Sequence, residues 1–285
     1  MTAVTVAAQH EVEPAPPRGG DIVVRHRLST RIWHWLNALT VIIMLMSGLM
    51  IFNAHPRLYW GEYGANADHA WLEIRGDPSR GYLRVGALIV PTTGVLGHWR
   101  DRDGSLRLRA FPYWATIPSG YDLAGARAWH FLFAWLLVVP GLLYWAWSLA
   151  NRHVQRDLAP RRAELSPRHI WHDIKSHARL RFPTGEAALR YNILQKASYL
   201  AVLFVLLPLI VLTGLAMSPA MDAAWPWLVD LFGGRQSARS IHFIVAMLLL
   251  AFILVHLVMV VLAGPVNEIR SMITGRYRLP KERAQ

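Results

Sequence analysis

The sequence contains no cysteine. That excludes a disulfide framework, a thiolate zinc site, a cysteine-held iron–sulfur cluster and a thiolate-ligated haem. It also excludes covalent haem attachment, which needs a Cys-x-x-Cys-His run. Acidic residues are scarce: 18 Asp and Glu stand against 30 Lys and Arg, for a net charge of +12. Such a balance fits either nucleic acid or the basic flank of a membrane protein. The chain is 54% hydrophobic, and its apolar residues come in blocks, so the membrane reading wins and no nucleic-acid partner is expected. A secretory signal is also lacking before the first apolar block: residues 1–24 are polar and Pro-rich, and read as a disordered tail.

Charge is absent from four stretches, 33–53, 129–150, 197–217 and 241–263. Each has the roughly 20 residues needed to cross about 30 Å of hydrocarbon as a helix. The expected fold is therefore all-α, an integral membrane four-helix bundle. Its membrane domain should cover residues 25–275, with a long loop at 54–127, a second at 152–196 and a tail at 276–285. Arg25, Arg27 and Arg31 precede the first stretch, ten basic and four acidic residues fill 152–196, and Arg270, Arg276, Arg278, Lys281 and Arg283 follow the last. By the positive-inside rule these segments and both termini are cytoplasmic, which places 54–127 and 218–240 outside. Within 152–196, Ser166 and Pro167 read as the start of a helix carrying Ile170, Trp171 and Ile174 on one face, suited to the membrane interface; a solvated loop is the alternative. Pro140 and Pro208 read as kinks. Gly48, Gly141, Gly214 and Gly264 suit close helix approach or room for a flat macrocycle, and packing explains them equally well.

Four of the 13 histidines, His34, His130, His242 and His256, fall inside the apolar blocks. An ionisable side chain at membrane depth is costly and usually functional. His242 and His256 are 14 residues apart, which is about 21 Å along a helix and within about 40° of one face. The outer one matches His130 in depth and the inner one matches His34. Two cross-helix pairs at two depths are what two bis-histidine haems require. Zinc would want three or four converging ligands, and a proton relay would recruit carboxylates that these stretches lack. Arg31, Arg127 and Arg239 each stand three residues before one of these histidines, suited to pairing with haem propionates, although Arg also commonly flanks membrane helices.

Arg-x-x-His-Trp at 31–35, Arg-Ala-Trp-His at 127–130, Arg-Tyr-Asn-Ile-Leu-Gln-Lys at 190–196, Thr-Gly-Leu at 213–215 and the two histidines of the last stretch resemble the bacterial cytochrome b561 and nickel–iron-hydrogenase cytochrome b family. That family includes formate dehydrogenase γ subunits and thiosulfate reductase cytochrome b subunits. The resemblance implies two haem b groups, ligated by His34/His256 and His130/His242, in the bacterial inner membrane. It also implies a quinone site near the cytoplasmic haem, close to Asn192, Gln195 and Lys196, for which a plain helix start is the alternative. The long loop 54–127 departs from small members of the family and suggests a docking surface for a periplasmic redox enzyme, of molybdenum or hydrogenase type. Two other functions compete with a respiratory electron-transfer subunit. One is a stand-alone quinone-linked cytochrome that oxidises a small diffusible reductant; the other is a haem-free transporter or anchor.

Overall fold

The computed structural model describes residues 18–152, 159–179, 188–189 and 191–280. A short strand β1 (Ile22–Val24) leads into helix α1 (Leu28–Phe52). A cap of short strands follows: β2 (Arg57–Leu58), β3 (Leu72–Gly76), β4 (Gly81–Val85), β5 (Leu88–Pro91), β6 (Trp99–Arg100) and β7 (Leu106–Arg107). Helix α2 (Leu123–Ala150) returns along the bundle, and α3 (Pro167–Ala178) lies beyond its far end. Next come α4 (Ile193–Ala201), α5 (Leu207–Ala216), the short α6 (Pro219–Ala224) and α7 (Pro226–Leu231), and the long α8 (Arg235–Ala263). Helix α9 (Pro265–Thr274) and strand β8 (Arg276–Arg278) complete the described chain.

Four helical runs are long and apolar enough to cross a membrane: Leu28–Phe52, Leu123–Ala150, Ile193–Ala216 and Arg235–Ala263. Three of them begin at least five residues before the charge-free stretch that marks them, because Arg31, Arg127 and Arg239 sit inside the first turns. A long basic side chain can follow the helix out of the hydrocarbon and keep its head in water. Asp122 caps α2 by accepting the Gly125 amide at 2.9 Å. The third run is α4 and α5 joined through a π-turn at Val202–Leu206. Pro208 lies two residues beyond it; it has no N–H to close an ordinary helical bond, which accounts for the widened turn. Pro140, by contrast, sits within a continuous α2.

The spans pack as two antiparallel pairs, α1 along α2 and α5 along α8. Trp33 stacks on Tyr144 at 5.1 Å within the first pair, and Trp145 stacks on Phe204 at 5.0 Å between the pairs. Trp135, Leu143, Val255, Val258 and Val261 face outward, as lipid-facing residues should.

The loop between α1 and α2 is a folded cap. A four-stranded antiparallel sheet runs β2-β3-β4-β5, beside a β6–β7 hairpin. Its core is Phe52, Leu58, Leu72, Ile74 and Ala110, with Trp71 and Phe111 against them, and Phe243 of α8 reaches into the same cluster. Glu73 is only 2% exposed and sits between Arg57 and Arg84, its direct register partners on either side. It contacts Arg57 Nη2 at 2.5 Å and Arg84 Nη2 at 2.8 Å. The start of α8 is fastened to the cap: Gly61 N–H donates to Ser237 Oγ (2.7 Å), and Trp71 Nε1 to Ser240 Oγ (2.9 Å). Gly234 takes φ +105°, and a Cβ there would come within 2.6 Å of the Gly61 backbone, so the position admits no side chain.

At the opposite end, β1 pairs antiparallel with β8, Ile22 opposite Arg278 and Val24 opposite Arg276. Arg25 closes this clasp with an ion pair to Glu268 at 3.3 Å and by lying over the Tyr277 ring. The expectation of disorder is corrected at residues 22–24, and the tail expected from 276 opens with a strand. Ile22–Val24 and Arg276–Arg278 form a sheet because two β-prone segments emerge from the same end of the bundle. Residues 1–17 and 281–285 lie outside the described residues, as do 153–158 and Arg190. Helix α3 begins as its sequence predicts, with Ser166 Oγ accepting the His169 amide and Pro167 at the first position. Trp171 and Ile174 are exposed along it.

Candidate functional site

α1 runs from the clasp end to the cap end, α2 and α8 run back, and this sets the histidine depths. His130 and His242 each lie in the second turn of α2 and α8, near the cap. His34 lies in the second turn of α1, and His256 is 14 residues past His242, toward the clasp. The rings meet as two pairs. His130 and His242 have ring centroids 6.3 Å apart, tilted by 59°. His34 and His256 are likewise 6.3 Å apart, tilted by 58°.

That separation has a simple chemical reading. An imidazole nitrogen binds a metal at about 2 Å, and the ring centre lies about 1.1 Å behind it, so two rings on opposite sides of one metal are about 6.3 Å apart. Rings in direct hydrogen-bonded or stacked contact would be closer. Both pairs therefore fit a group ligated from two sides, as haem is. Among the described residues no three His, Cys, Asp or Glu side chains converge as a metal site, which disfavours zinc.

The cap-end pair is further organised by two residues to which the sequence reading gave no role, Ser47 and the Thr213 of the Thr-Gly-Leu motif. Ser47 of α1, fully buried, has its Oγ 3.1 Å from His130 Nδ1. Thr213 of α5, also fully buried, has its Oγ1 3.1 Å from His242 Nδ1. A glycine follows each hydroxyl residue. A Cβ at Gly48 would stand 3.5 Å from His130 Cε1, and one at Gly214 would stand 3.4 Å from His242 Cε1. The signal was legible as a repeat: Ser-Gly-Leu at 47–49 and Thr-Gly-Leu at 213–215 place the same trio in the first and third spans. At the clasp end, His34 Nδ1 is buried without a hydrogen-bond partner, and His256 stacks on Phe252 at 6.0 Å.

The three arginines have different surroundings. Arg31 donates from Nη1 to the Ile273 carbonyl of α9, while its Nε is buried and unpartnered. Arg239 donates to the His55 carbonyl in the cap and lies over Phe52. Arg127 is exposed, with its guanidinium over Phe131. Only Arg31 thus combines closeness to a histidine pair with a buried unused donor.

Asn192, Gln195 and Lys196 are engaged locally. Asn192 and Gln195 form a reciprocal capping box at the start of α4. The Asn192 amide nitrogen also lies 3.2 Å from His177 Nε2. Lys196, 7% exposed, donates to both carboxylate oxygens of Glu164, at 2.8 and 2.9 Å. Burial pushes the Glu164 carboxyl up, but hydrogen bonds from Lys196 and the Arg161 amide, with the charge of Lys196, hold it below the usual range. At the mouth of the clasp, burial and the nearby Arg25, His34 and Arg31 push the His26 imidazole down to about 4, so it is neutral near pH 7.

Residues 25–275 match the profile of the prokaryotic cytochrome b561 family. The chain is 28% identical over 255 residues to a putative protein-methionine-sulfoxide reductase subunit, YedZ1, of Azospira oryzae, covering 90% of this chain and 98% of that one. It is 22% identical over 267 residues to a probable Ni/Fe-hydrogenase B-type cytochrome subunit of Cupriavidus necator, covering 88% of this chain and 85% of that one. No solved structure matches the chain.

Proposed function

The chain belongs to the prokaryotic cytochrome b561 family of membrane haem proteins, and we propose that it is the electron-transfer subunit linking a redox enzyme at its cap end to membrane quinone at its clasp end. His130 and His242 would hold one haem b, and His34 and His256 a second. Each haem, when bound, supplies one-electron chemistry. The two equal ring separations at two depths of α8 carry this reading.

The protein's own residues do the rest. The helices hold the four half-buried imidazoles in facing pairs, where they are available as ligands. Arg31, with its unpartnered Nε beside the His34 pair, is placed to receive a propionate. The basic clasp end faces the cytoplasm and the cap faces the periplasm, in keeping with the arginine and lysine bias. The cap presents exposed Trp60, Tyr63 and Trp114, the residue types that dominate protein interfaces. Two relatives named as subunits, of a methionine-sulfoxide reductase and of a hydrogenase, favour a redox enzyme there over a small diffusible reductant. Quinone exchange is assigned to the clasp end beside His34 and His256, where Asn192 and Gln195 bring amide groups to the start of α4 and Lys196 braces the wall.

Haem content and visible redox spectra test the core of the proposal. Wild-type protein should carry two b-type haems. His130→Ala or His242→Ala should lose the cap-end haem alone, and His34→Ala or His256→Ala the other. A wild-type content of one, or a His130→Ala protein that keeps both, overturns the pairing.

A further inference from the structure

We infer that Ser47 and Thr213 are positioning residues that make the cap-end histidines stronger electron donors than the clasp-end pair, so that the cap-end haem has the lower potential; this rests on the reading that each pair holds a haem.

The geometry is the same on both sides of the site. Ser47 Oγ lies 3.2 Å from the Met44 carbonyl and 3.1 Å from His130 Nδ1. Thr213 Oγ1 lies 2.7 Å from the Leu209 carbonyl, 3.1 Å from that of Ile210, and 3.1 Å from His242 Nδ1. A hydroxyl has one proton. Each hydroxyl gives its proton to a backbone carbonyl of its own helix, as buried Ser and Thr do. Its lone pair is then what faces the ring, and Nδ1 is the donor; the Met44 carbonyl for His130 and the Ile210 carbonyl for His242 lie beside the hydroxyl as second acceptors.

Two consequences follow for each ring. The proton is fixed on Nδ1, which leaves Nε2 bare as the ligand atom. The Nδ1–H bond to an oxygen that is itself polarised by a carbonyl also pushes electron density toward Nε2 and raises its basicity. A more basic axial ligand favours ferric over ferrous iron and lowers the potential. Gly48 and Gly214, next in sequence, lie beside the ring edge between Nδ1 and Nε2. Both hydroxyls are fully buried, so water does not compete for either bond.

Among the described residues no Ser or Thr hydroxyl is recorded against the clasp-end rings, and His34 Nδ1 is buried and without a hydrogen-bond partner. The difference between the two pairs gives the transmembrane path a gradient, with electrons favoured on the clasp side.

Potentiometric titration of the purified two-haem protein in detergent, followed by the split b-type bands and the low-spin EPR signals, tests the inference. Ser47→Ala and Thr213→Val should each raise the midpoint potential of the cap-end haem and shift its EPR signal. The double variant should move further in the same direction, and the clasp-end haem should stay in place. Thr213→Ser, which keeps the hydroxyl and loses the methyl, should keep the wild-type potential. Two retained haems with unmoved potentials in the double variant overturn the inference while leaving the haem assignment standing. Equal shifts in Thr213→Ser and Thr213→Val also overturn it, because packing would then be the cause. A single haem in the wild type overturns the assignment and the inference together.

Discussion

Glu73→Ala is expected to open the cap and leave the helical bundle standing. Glu73 lies on the second strand of the cap sheet, 2% exposed, with Arg57 and Arg84 as its direct cross-strand neighbours. Arg57 reaches Oε1 through both Nε (2.6 Å) and Nη2 (2.5 Å), and Arg84 reaches Oε2 at 2.8 Å. Removing one member of a buried ion pair typically costs about 3–5 kcal/mol, because the charge left behind has lost its partner and stays poorly solvated. Here the arginines are 14% and 26% exposed and regain some water, so the lower end, about 3 kcal/mol, applies. That corresponds to roughly a hundredfold rise in the open population of the cap. Glu73→Gln keeps the shape and one acceptor and should lose about half as much, since charge-assisted bonds are about twice as strong as neutral ones. Trypsin supplies the assay, because cleavage of a transiently opened segment follows its open population and Arg75 and Arg84 lie in the strands of the sheet. Cleavage in the cap should accelerate by about two orders of magnitude while the b-type spectrum persists. A Glu73→Ala protein cut at the wild-type rate would refute the reasoning, since the pair would then contribute no net stability.

The remaining expectations address the clasp end and the orientation. Asn192→Ser keeps a capping oxygen at the start of α4 but gives up the amide donor, so it should slow haem reoxidation by quinone without releasing haem; wild-type reoxidation would exclude Asn192 from the quinone site. The Glu164–Lys196 pair should stabilise the fold at neutral pH. Glu164 is held below its ordinary 4.5, so this contribution is complete above that value and fades as pH falls through the lowered one. Thermal midpoints of wild type and Glu164→Gln should therefore differ at pH 7 and converge in acid; a constant gap would rule this linkage out. A reporter fused after Gln285 should act in the cytoplasm, and one active only in the periplasm would invert the side assigned to each haem.

The four spans could be read from sequence because a membrane imposes one demand, about 20 uncharged residues, that leaves a mark independent of partners. Their ends could not be read the same way. Charge bounded the reading, whereas the helices run on past Arg31, Arg127 and Arg239. The histidine pairing followed from depth, but equal 6.3 Å separations exist only once the helices are packed. Ser47 escaped notice and Thr213 was read only as part of a motif, because a lone hydroxyl in an apolar run commonly bonds its own helix, and here both do so while also meeting a ring. The cap was legible as a long outer loop but not as a sheet: its strands are two to five residues long, too short for alternation to show. Asn192 and Gln195 look alike in sequence whether they cap a helix or meet a ligand, and the structure shows the cap.

The β1–β8 clasp has a consequence for how the protein is made. Ile22–Val24 leaves the ribosome before any span has been inserted, yet its strand partner, Arg276–Arg278, is synthesised after the last. Until then Val23 lacks the cover that Tyr277 and Leu279 give it, and Arg25 lacks Glu268. Closure of the clasp is thus a local report that every preceding span has reached its place. A chain with one helix misthreaded would leave its two ends on opposite faces of the bilayer and its first strand unpaired, open to the proteases that clear failed membrane proteins.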